Sequence, residues 1–411
     1  MPEVDRDDGG PRRVLLIASE RPWPRDSGVR QRLGATLDGL ARVAEVDLFA
    51  ALPERVAPPA PPAGLAVARL TTVTGWADYR LGAVPRWLAS GRPRSVALPR
   101  WADPARALGE WQRGPYDVAW FLGCQAFLGL PHPPARRYVL DVDDLPHQML
   151  RHRLALAGSA SALDLRTRAR VRADRLDERR WTRLFPALRR RADLLLVCSE
   201  TDRERVGGEA VVLPNGYDAP AVLPPRRRRD ATPVLAFVGG LDYPPNADAA
   251  EFAAREILPL VRAVRLGAQL WLIGHAPPAG PAARLARLPG VRVRGRVPDI
   301  SAELAEVDVA VAPIRFGGGT RIKILEAFAH RVPVVSTTVG CEGLAVRAGS
   351  SLLVADGAAD FAAACLRLLG EPALRAALTA EGAAVQAQRY RWDVTRDAVA
   401  GLVARLAATP S

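Results

Sequence analysis

The chain has 411 residues, 49% of them hydrophobic and 25% charged, and a formal net charge of +13. That length exceeds what one hydrophobic core usually supports, so two domains of roughly 200 residues are expected. The composition excludes a disordered or fibrous chain, no apolar run of about 18 residues offers a membrane span, and the arginines are spread so widely that charge alone selects no anionic partner.

In chain order, residues 1–12 form a polar tail without the apolar core of a signal peptide. RVLLIAS (13–19) reads as a buried strand, LGATLDGLARVA (33–44) as a helix and VDLFA (46–50) as a strand. Strand, glycine-bearing loop, helix and strand make a βαβ unit, whose ligands lie at strand carboxyl ends against a helix N-terminus. Gly28, Arg30 and Arg32 fall there. They are candidate phosphate or acceptor contacts, with a plain N-cap and surface arginines as the equal alternative. Residues 52–64 form a Pro- and Ala-rich loop. Residues 79–113 alternate arginines with Trp87, Trp101 and Trp111. Such a pattern marks interfacial surfaces and, more often, amphipathic helices whose tryptophans face a core.

Residues 117–123 and 137–145 are further strands. Asp141, Asp143 and Asp144 resemble a DxD metal motif, but a strand alternates its faces, so no chelate follows. Asp143, Asp144 and His147 still lie at the strand's carboxyl end, where an active site would be. Residues 164–192 form an arginine-dense helix with acidic residues at three- and four-residue spacing, a solvated or interdomain helix by default. After a strand at 193–200, VVLPNGYD (211–218) and PPRRRRD (224–230) gather the breakers and charge of a domain boundary.

The second half repeats this order. PVLAFVGG (233–240) is a strand ending in Gly239 and Gly240. A helix is expected at 250–263 and strands at 269–275, 291–297 and 308–314. FGGGTRIKILEAFAHRVPVVST then begins at residue 316. Gly317, Gly318, Gly319 and Thr320 stand where a strand ends and a helix starts, so the backbone can approach a ligand and offer it freed N–H groups. Arg321 and Lys323 add charge to the positive end of the helix dipole. The turn is therefore built to hold a phosphate or diphosphate. Lys323 is the single lysine among 57 basic residues; one lysine on a solvated helix face is the plain alternative. Glu326 lies further in, placed to accept hydrogen bonds from sugar hydroxyls. Strands near 332–340 and 351–355 and helices to the end complete a second doubly wound sheet. Cys124, Cys198, Cys341 and Cys365 lack metal or redox spacing and read as buried free thiols of a reducing compartment.

These stretches together resemble the family 4 nucleotide-sugar glycosyltransferases, in the subset with the GGTR-x-K form. The resemblance runs in order through RVLLIASERPWPRDSGVRQR, RYVLDVDDL, RRRADLLLVCSE, VVLPNGYD, FVGGLDYPPNADA, GRVPDI and FGGGTRIKILEAFAHRVPVVSTTVGCEGL. It implies an α/β chain of GT-B architecture, two Rossmann-like doubly wound domains facing across a cleft. Residues 1–217 would form the acceptor side, 218–390 the donor side, and 391–411 a helix crossing back. The implied activity is retaining transfer of a sugar from a nucleoside-diphosphate sugar to a glycan, lipid-linked or small-molecule acceptor, in polysaccharide or glycoconjugate biosynthesis. Carried over by position, Glu326 matches the second glutamate of E-x7-E, which binds the ribose hydroxyls. Gly318, Gly319 and Thr320 would offer N–H groups to the diphosphate. The Val297 backbone would meet the nucleobase, and Gly28 would approach the donor phosphates.

Two departures stand out. Gly318 occupies the position of the first glutamate, and Gly240, Leu241, Asp242, Tyr243 and Asn246 replace an arginine and lysine pair. Arg321 and Lys323 are then expected to act catalytically in that pair's place, stabilising charge on the departing diphosphate, with no metal and no cofactor required. No nucleic acid partner is expected. The chain reads as cytoplasmic, with peripheral contact to the inner face of the plasma membrane through its basic N-terminal half. The alternatives are a catalytically silent GT-B nucleotide- or glycan-binding protein and a sugar-nucleotide 2-epimerase.

Overall fold

A computed structural model describes residues 12–55, 58–76, 83–158, 164–226, 232–277 and 280–408. The chain divides into two units, residues 1–214 with 393–411, and residues 215–392. Most of the polar tail and most of the arginine run at 224–230 lie outside the described residues.

The first unit holds seven strands: β1 (Arg13–Ala18), β2 (Glu45–Leu52), β3 (Arg69–Thr74), β4 (Tyr116–Leu122), β5 (Ala135–Val142), β6 (Leu194–Val197) and β7 (Val211–Val212). They run parallel in the order β3-β2-β1-β4-β5-β6-β7. β1, β2 and β4 are near-continuous apolar runs because both faces of a parallel sheet are covered. β3 was not anticipated. Its sequence, RLTTVT, is β-branched but only half-buried, as suits an edge strand.

Helix α1 (Gly28–Leu40) begins five residues before the expected start. Gly28, Arg30 and Arg32 therefore sit on its first turns. In the arginine and tryptophan segment, Trp87 on α2 (Ala83–Ser90) and Trp101 are buried. Trp101 stacks on Trp76 at 4.6 Å, and Trp87 donates its Nε1–H to Asp177 at 3.1 Å. These two tryptophans face the core, not an interface. α3 (Pro146–Gly158) leads to α4 (Leu165–Arg191), whose N-cap Asp164 accepts the Thr167 N–H at 2.7 Å. The C-terminal helix Trp392–Ala408 buries Val399, Leu402 and Val403 in the cluster that holds Leu33 and Leu37 of α1.

The second unit has six parallel strands: β8 (Val234–Val238), β9 (Gln269–Ile273), β10 (Val291–Gly295), β11 (Val309–Ala312), β12 (Val334–Ser336) and β13 (Leu353–Val354). Their order is β10-β9-β8-β11-β12-β13. Strand order reverses between β8 and β11, and ligands of such sheets bind at the carboxyl ends beside that reversal. The helix expected at 250–263 is instead α5 (Pro244–Phe252), a π turn (Ala253–Ile257) and a last helical stretch (Leu258–Val264). The widened turn precedes Pro259, which has no N–H for the regular ladder.

Candidate active site

β8 runs out into Gly239, and β11 runs through a loop to α6 (Ile322–Ala329). The two meet at the reversal of strand order, so the glycine-rich stretches that the sequence singled out are neighbours in space. Gly239 has φ +155°, and a Cβ there would lie 2.8 Å from Asn246 Nδ2 and 3.1 Å from Lys323 Nζ. Only glycine lets these two side chains come so close to the strand end. Asn246, on α5, donates to the Gly240 carbonyl at 2.9 Å and accepts from Lys323 Nζ at 2.5 Å. The ammonium also lies 4.5 Å from the centre of the Phe237 ring. Burial, with Arg321 adding to it, lowers the Lys323 pKa to about 7, against the opposing pull of Glu326. This cation is held between an amide and an aromatic face, and no ion pair of Lys323 with a carboxylate is seen among the described residues.

Arg321 departs from expectation. It is the N-cap of α6, buried, and its Nη1 donates to the carbonyls of Gly318 and Gly319. Its guanidinium thus folds back on the turn. Gly317, at φ +151°, would place a Cβ 2.9 Å from Arg321 Nη2. That Nη2 is buried and has no hydrogen-bond partner among the described residues. Arg321 shapes the glycine turn with one nitrogen and keeps another unused.

Glu326 lies one turn beyond Lys323 and is hydrogen-bonded by the Tyr217 hydroxyl. Burial pushes its pKa up to about 7, opposed by the Tyr217 hydrogen bond and by Lys323. The Tyr217 hydroxyl is itself pushed up, by burial first and then by Glu326. The Tyr217 ring packs on His330 at 5.7 Å, while His330 Nδ1 donates to the Glu326 carbonyl at 2.8 Å. Gln386 Nε2 donates to the Tyr217 carbonyl at 2.7 Å, fixing the segment. Two residues away, Asn215 Nδ2 donates to Thr320 Oγ1 at 3.1 Å. Tyr217, Asn215 and Asn246 were not among the expected site residues. Tyr217 and Asn215 belong to PNGYD, whose turn chemistry reads only as a boundary. Val297 follows β10 and is half-buried against the core below α6.

In the first unit, Gly28 opens α1 and Arg30 pairs with Glu20 at 3.2 Å and Asp26 at 2.9 Å. Arg32 is wholly enclosed, bonded to Asp141 Oδ1 at 2.6 Å and to the Leu213 carbonyl at 3.0 Å. It is a core ion pair, not an acceptor contact, because a helix starting at Gly28 turns position 32 onto the sheet. Asp143 and Asp144 are half-buried in the turn after β5, and Cys198 Sγ–H donates to the Asp143 carbonyl at 3.1 Å. His147 is likewise a correction. It is buried against Phe185, 5.4 Å between rings, and burial, with Arg151 next, lowers its pKa to about 4. Among the described residues, no group of three or more His, Cys, Asp or Glu stands ready for a metal ion. No described helix is long and apolar enough to cross a membrane. Cys341 is half-buried, and the other three cysteines are buried free thiols.

Residues 232–371 match the family model described as Glycosyl transferases group 1. A D-inositol 3-phosphate glycosyltransferase of Acidothermus cellulolyticus is 32% identical over 255 residues, covering 56% of this chain and 53% of that protein. The chain thus spans about half of that relative's length, and less of the other curated relatives. Among solved structures, sucrose-phosphate synthase from Thermosynechococcus elongatus has a TM-score of 0.65 at 20% identity, covering 96% of this chain and 99% of that one. HepE from Anabaena, crystallised with UDP and glucose, has a TM-score of 0.60 at 14% identity, covering 95% and 99%. At those identities the likeness is one of fold, the two Rossmann-like halves of GT-B glycosyltransferases over nearly the whole chain. The second unit therefore carries a glycosyltransferase domain of group 1.

Proposed function

We propose that the chain is a retaining, metal-independent glycosyltransferase. It moves a sugar from a nucleoside-diphosphate sugar to a glycan, lipid-linked or small-molecule acceptor in polysaccharide or glycoconjugate biosynthesis. The observation that carries this is the half-buried Lys323 ammonium, held by Asn246 and Phe237 beside Gly239 and the glycine turn. A half-buried cation with no ion pair among the described residues, next to backbone that a ligand can approach closely, is matched to a diphosphate. Charge grows on the diphosphate as the glycosidic bond breaks, so an ammonium fixed there stabilises the transition state more than the ground state. Glu326 would accept the ribose hydroxyls, its carboxylate oriented by Tyr217. Arg321 would hold the turn and offer its unused Nη2 to the same anion. The first unit would hold the acceptor, and peripheral contact with a membrane belongs to the same reading.

A donor of uridine type is the first to test, since HepE of this fold was crystallised with UDP and glucose. Thermal-shift screening of the full chain against nucleoside diphosphates and their sugars should show a rise in Tm for one nucleotide. Slow release of that diphosphate from its sugar nucleotide, unchanged by EDTA, is expected to follow. Loss of release in EDTA, restored only by Mg²⁺ or Mn²⁺, would contradict the metal-independent reading. Binding without release would favour a silent binder, the reading that Gly318 in place of a glutamate suggests.

A further inference from the structure

Helix α4 sorts its charges by face. Its acidic residues turn inward: Asp174 meets Arg153 and Arg94, Asp177 takes Arg94 Nε at 2.5 Å, and Glu178 holds Arg151 at 2.8 Å. Trp181, Phe185 and Leu188 bury the same side. Opposite them stand Arg168, Arg172, Arg175, Arg179 and Arg183, all exposed. At about 100° per residue these five fall within about 80° of arc, along a line of about 22 Å. None of the five side chains has an ion pair or hydrogen bond among the described residues. Like charges three and four residues apart destabilise a helix, so the stripe works against its own fold until an anion covers it.

We propose that this outer face of α4 docks the chain on an anionic lipid surface. A convex ridge of arginines meets a plane of head groups along its whole length, and the attraction adds up per residue. Leu165, at the start of the helix and on the same arc, is 81% exposed. Val84 and Leu88, one turn apart on α2, are 47% and 53% exposed. Arg180 fastens α2 to α4 by donating to the carbonyls of Trp87 at 3.0 Å and Leu88 at 2.9 Å. A lipid interface accepts such apolar side chains beside its phosphates. Single-stranded nucleic acid asks for outward aromatic platforms, and the aromatic residues of α4 are both buried. The stripe lies wholly in the first unit, so this inference stands or falls apart from the donor reading.

The test is co-sedimentation of the full chain with phosphatidylcholine vesicles, with and without phosphatidylglycerol. Each arginine near an anionic surface strengthens binding about fivefold at moderate salt. The triple variant Arg172→Ser, Arg175→Ser, Arg179→Ser should therefore bind the anionic vesicles about 10²-fold more weakly. A control triple in the second unit, Arg265→Ser, Arg284→Ser, Arg287→Ser, removes equal charge from exposed positions and should stay within twofold of wild type. Neither should lose Tm, since no side chain of the six makes an ion pair or hydrogen bond among the described residues, and relief of like-charge repulsion in the stripe offsets the poorer helix propensity of serine. Equal weakening by the two triples would overturn the proposal, as would equal binding to uncharged vesicles or none to anionic ones. So would a stripe variant that loses an oligonucleotide gel shift near physiological salt while its vesicle binding is unchanged.

Discussion

If Lys323 meets the donor diphosphate, nucleotide affinity must be bell-shaped in pH near neutrality. Burial lowers the ammonium from 10.5 to about 7 and raises the Glu326 carboxyl from 4.5 to about 7. The binding form needs Lys323 protonated for the phosphates and Glu326 ionised for the ribose. Above pH 7 the free protein has lost the lysine proton, and binding must take one up. Below pH 7 Glu326 holds a proton, and binding must release it. By linkage, Kd should weaken about tenfold per pH unit on either side, once more than about one unit from the midpoint. Calorimetric titration of UDP, or of whichever diphosphate the thermal screen retains, measures this from pH 5.5 to 9. Two buffers of different ionisation enthalpy would report the proton uptake directly. Lys323→Met should lose the alkaline limb and Glu326→Gln the acid limb. Lys323→Met should also raise the Tm of the empty protein. A lowered lysine pKa means that the unfolded chain binds more protons between about 7 and 10.5, so the native state carries the cost at and below pH 7 and sheds it as pH rises. The gain should be about 2–4 °C per kcal/mol recovered, largest at pH 7 and shrinking toward pH 10. A Kd flat from pH 6 to 9 with no proton exchange would refute the reasoning.

Three further outcomes follow from the same geometry. Tyr217→Phe removes the hydroxyl that favours the Glu326 carboxylate, so the acid limb should move to higher pH; a limb that stays in place would mean Tyr217 only packs. Arg321→Ala frees the Gly318 and Gly319 carbonyls and should lower turnover about 10²-fold, the scale of one lost electrostatic contact in a transition state; steady-state kinetics at saturating donor would reveal wild-type turnover if it acts elsewhere. Gly239→Ala sets a methyl 2.8 Å from Asn246 and 3.1 Å from Lys323, so nucleotide affinity should fall at least tenfold with the vesicle binding of the first unit intact. An unchanged Kd would mean that the Asn246–Lys323 pair is not where the diphosphate lies.

Much of this was legible in the sequence because parallel strands covered on both faces declare themselves as unbroken apolar runs. β1, β4, β8, β9 and β11 were readable for that reason, and β3, a half-buried edge strand of threonines, was not. The glycine turn was legible since three glycines at a strand-to-helix junction have few other uses. The partners of its side chains were not. Tyr217 and Asn215 stand about 105 residues from the groups they hold, and nothing in a turn sequence tells which distant residue it will face. The fold of Arg321 back onto the Gly318 and Gly319 carbonyls was not legible either, because composition places a charge on a loop without saying whether its donors turn outward or back.

The arginine and tryptophan segment follows the commoner of its two readings, tryptophans turned to a core. Arginine beside tryptophan at 79–113 fits an interface as well, but a tryptophan brings so much apolar area that burying it outweighs exposing it wherever a core lies within reach. Trp87 and Trp101 are taken inside, and Trp111 is half-buried against the same core. α4 received the milder reading of a solvated helix since its acids alternate with its arginines in sequence. A helix resolves that alternation by angle. With Asp174, Asp177 and Glu178 all on the inner side, the outer face is left without a carboxylate, so a helix whose charges look mixed along its length presents a single sign on its outer face.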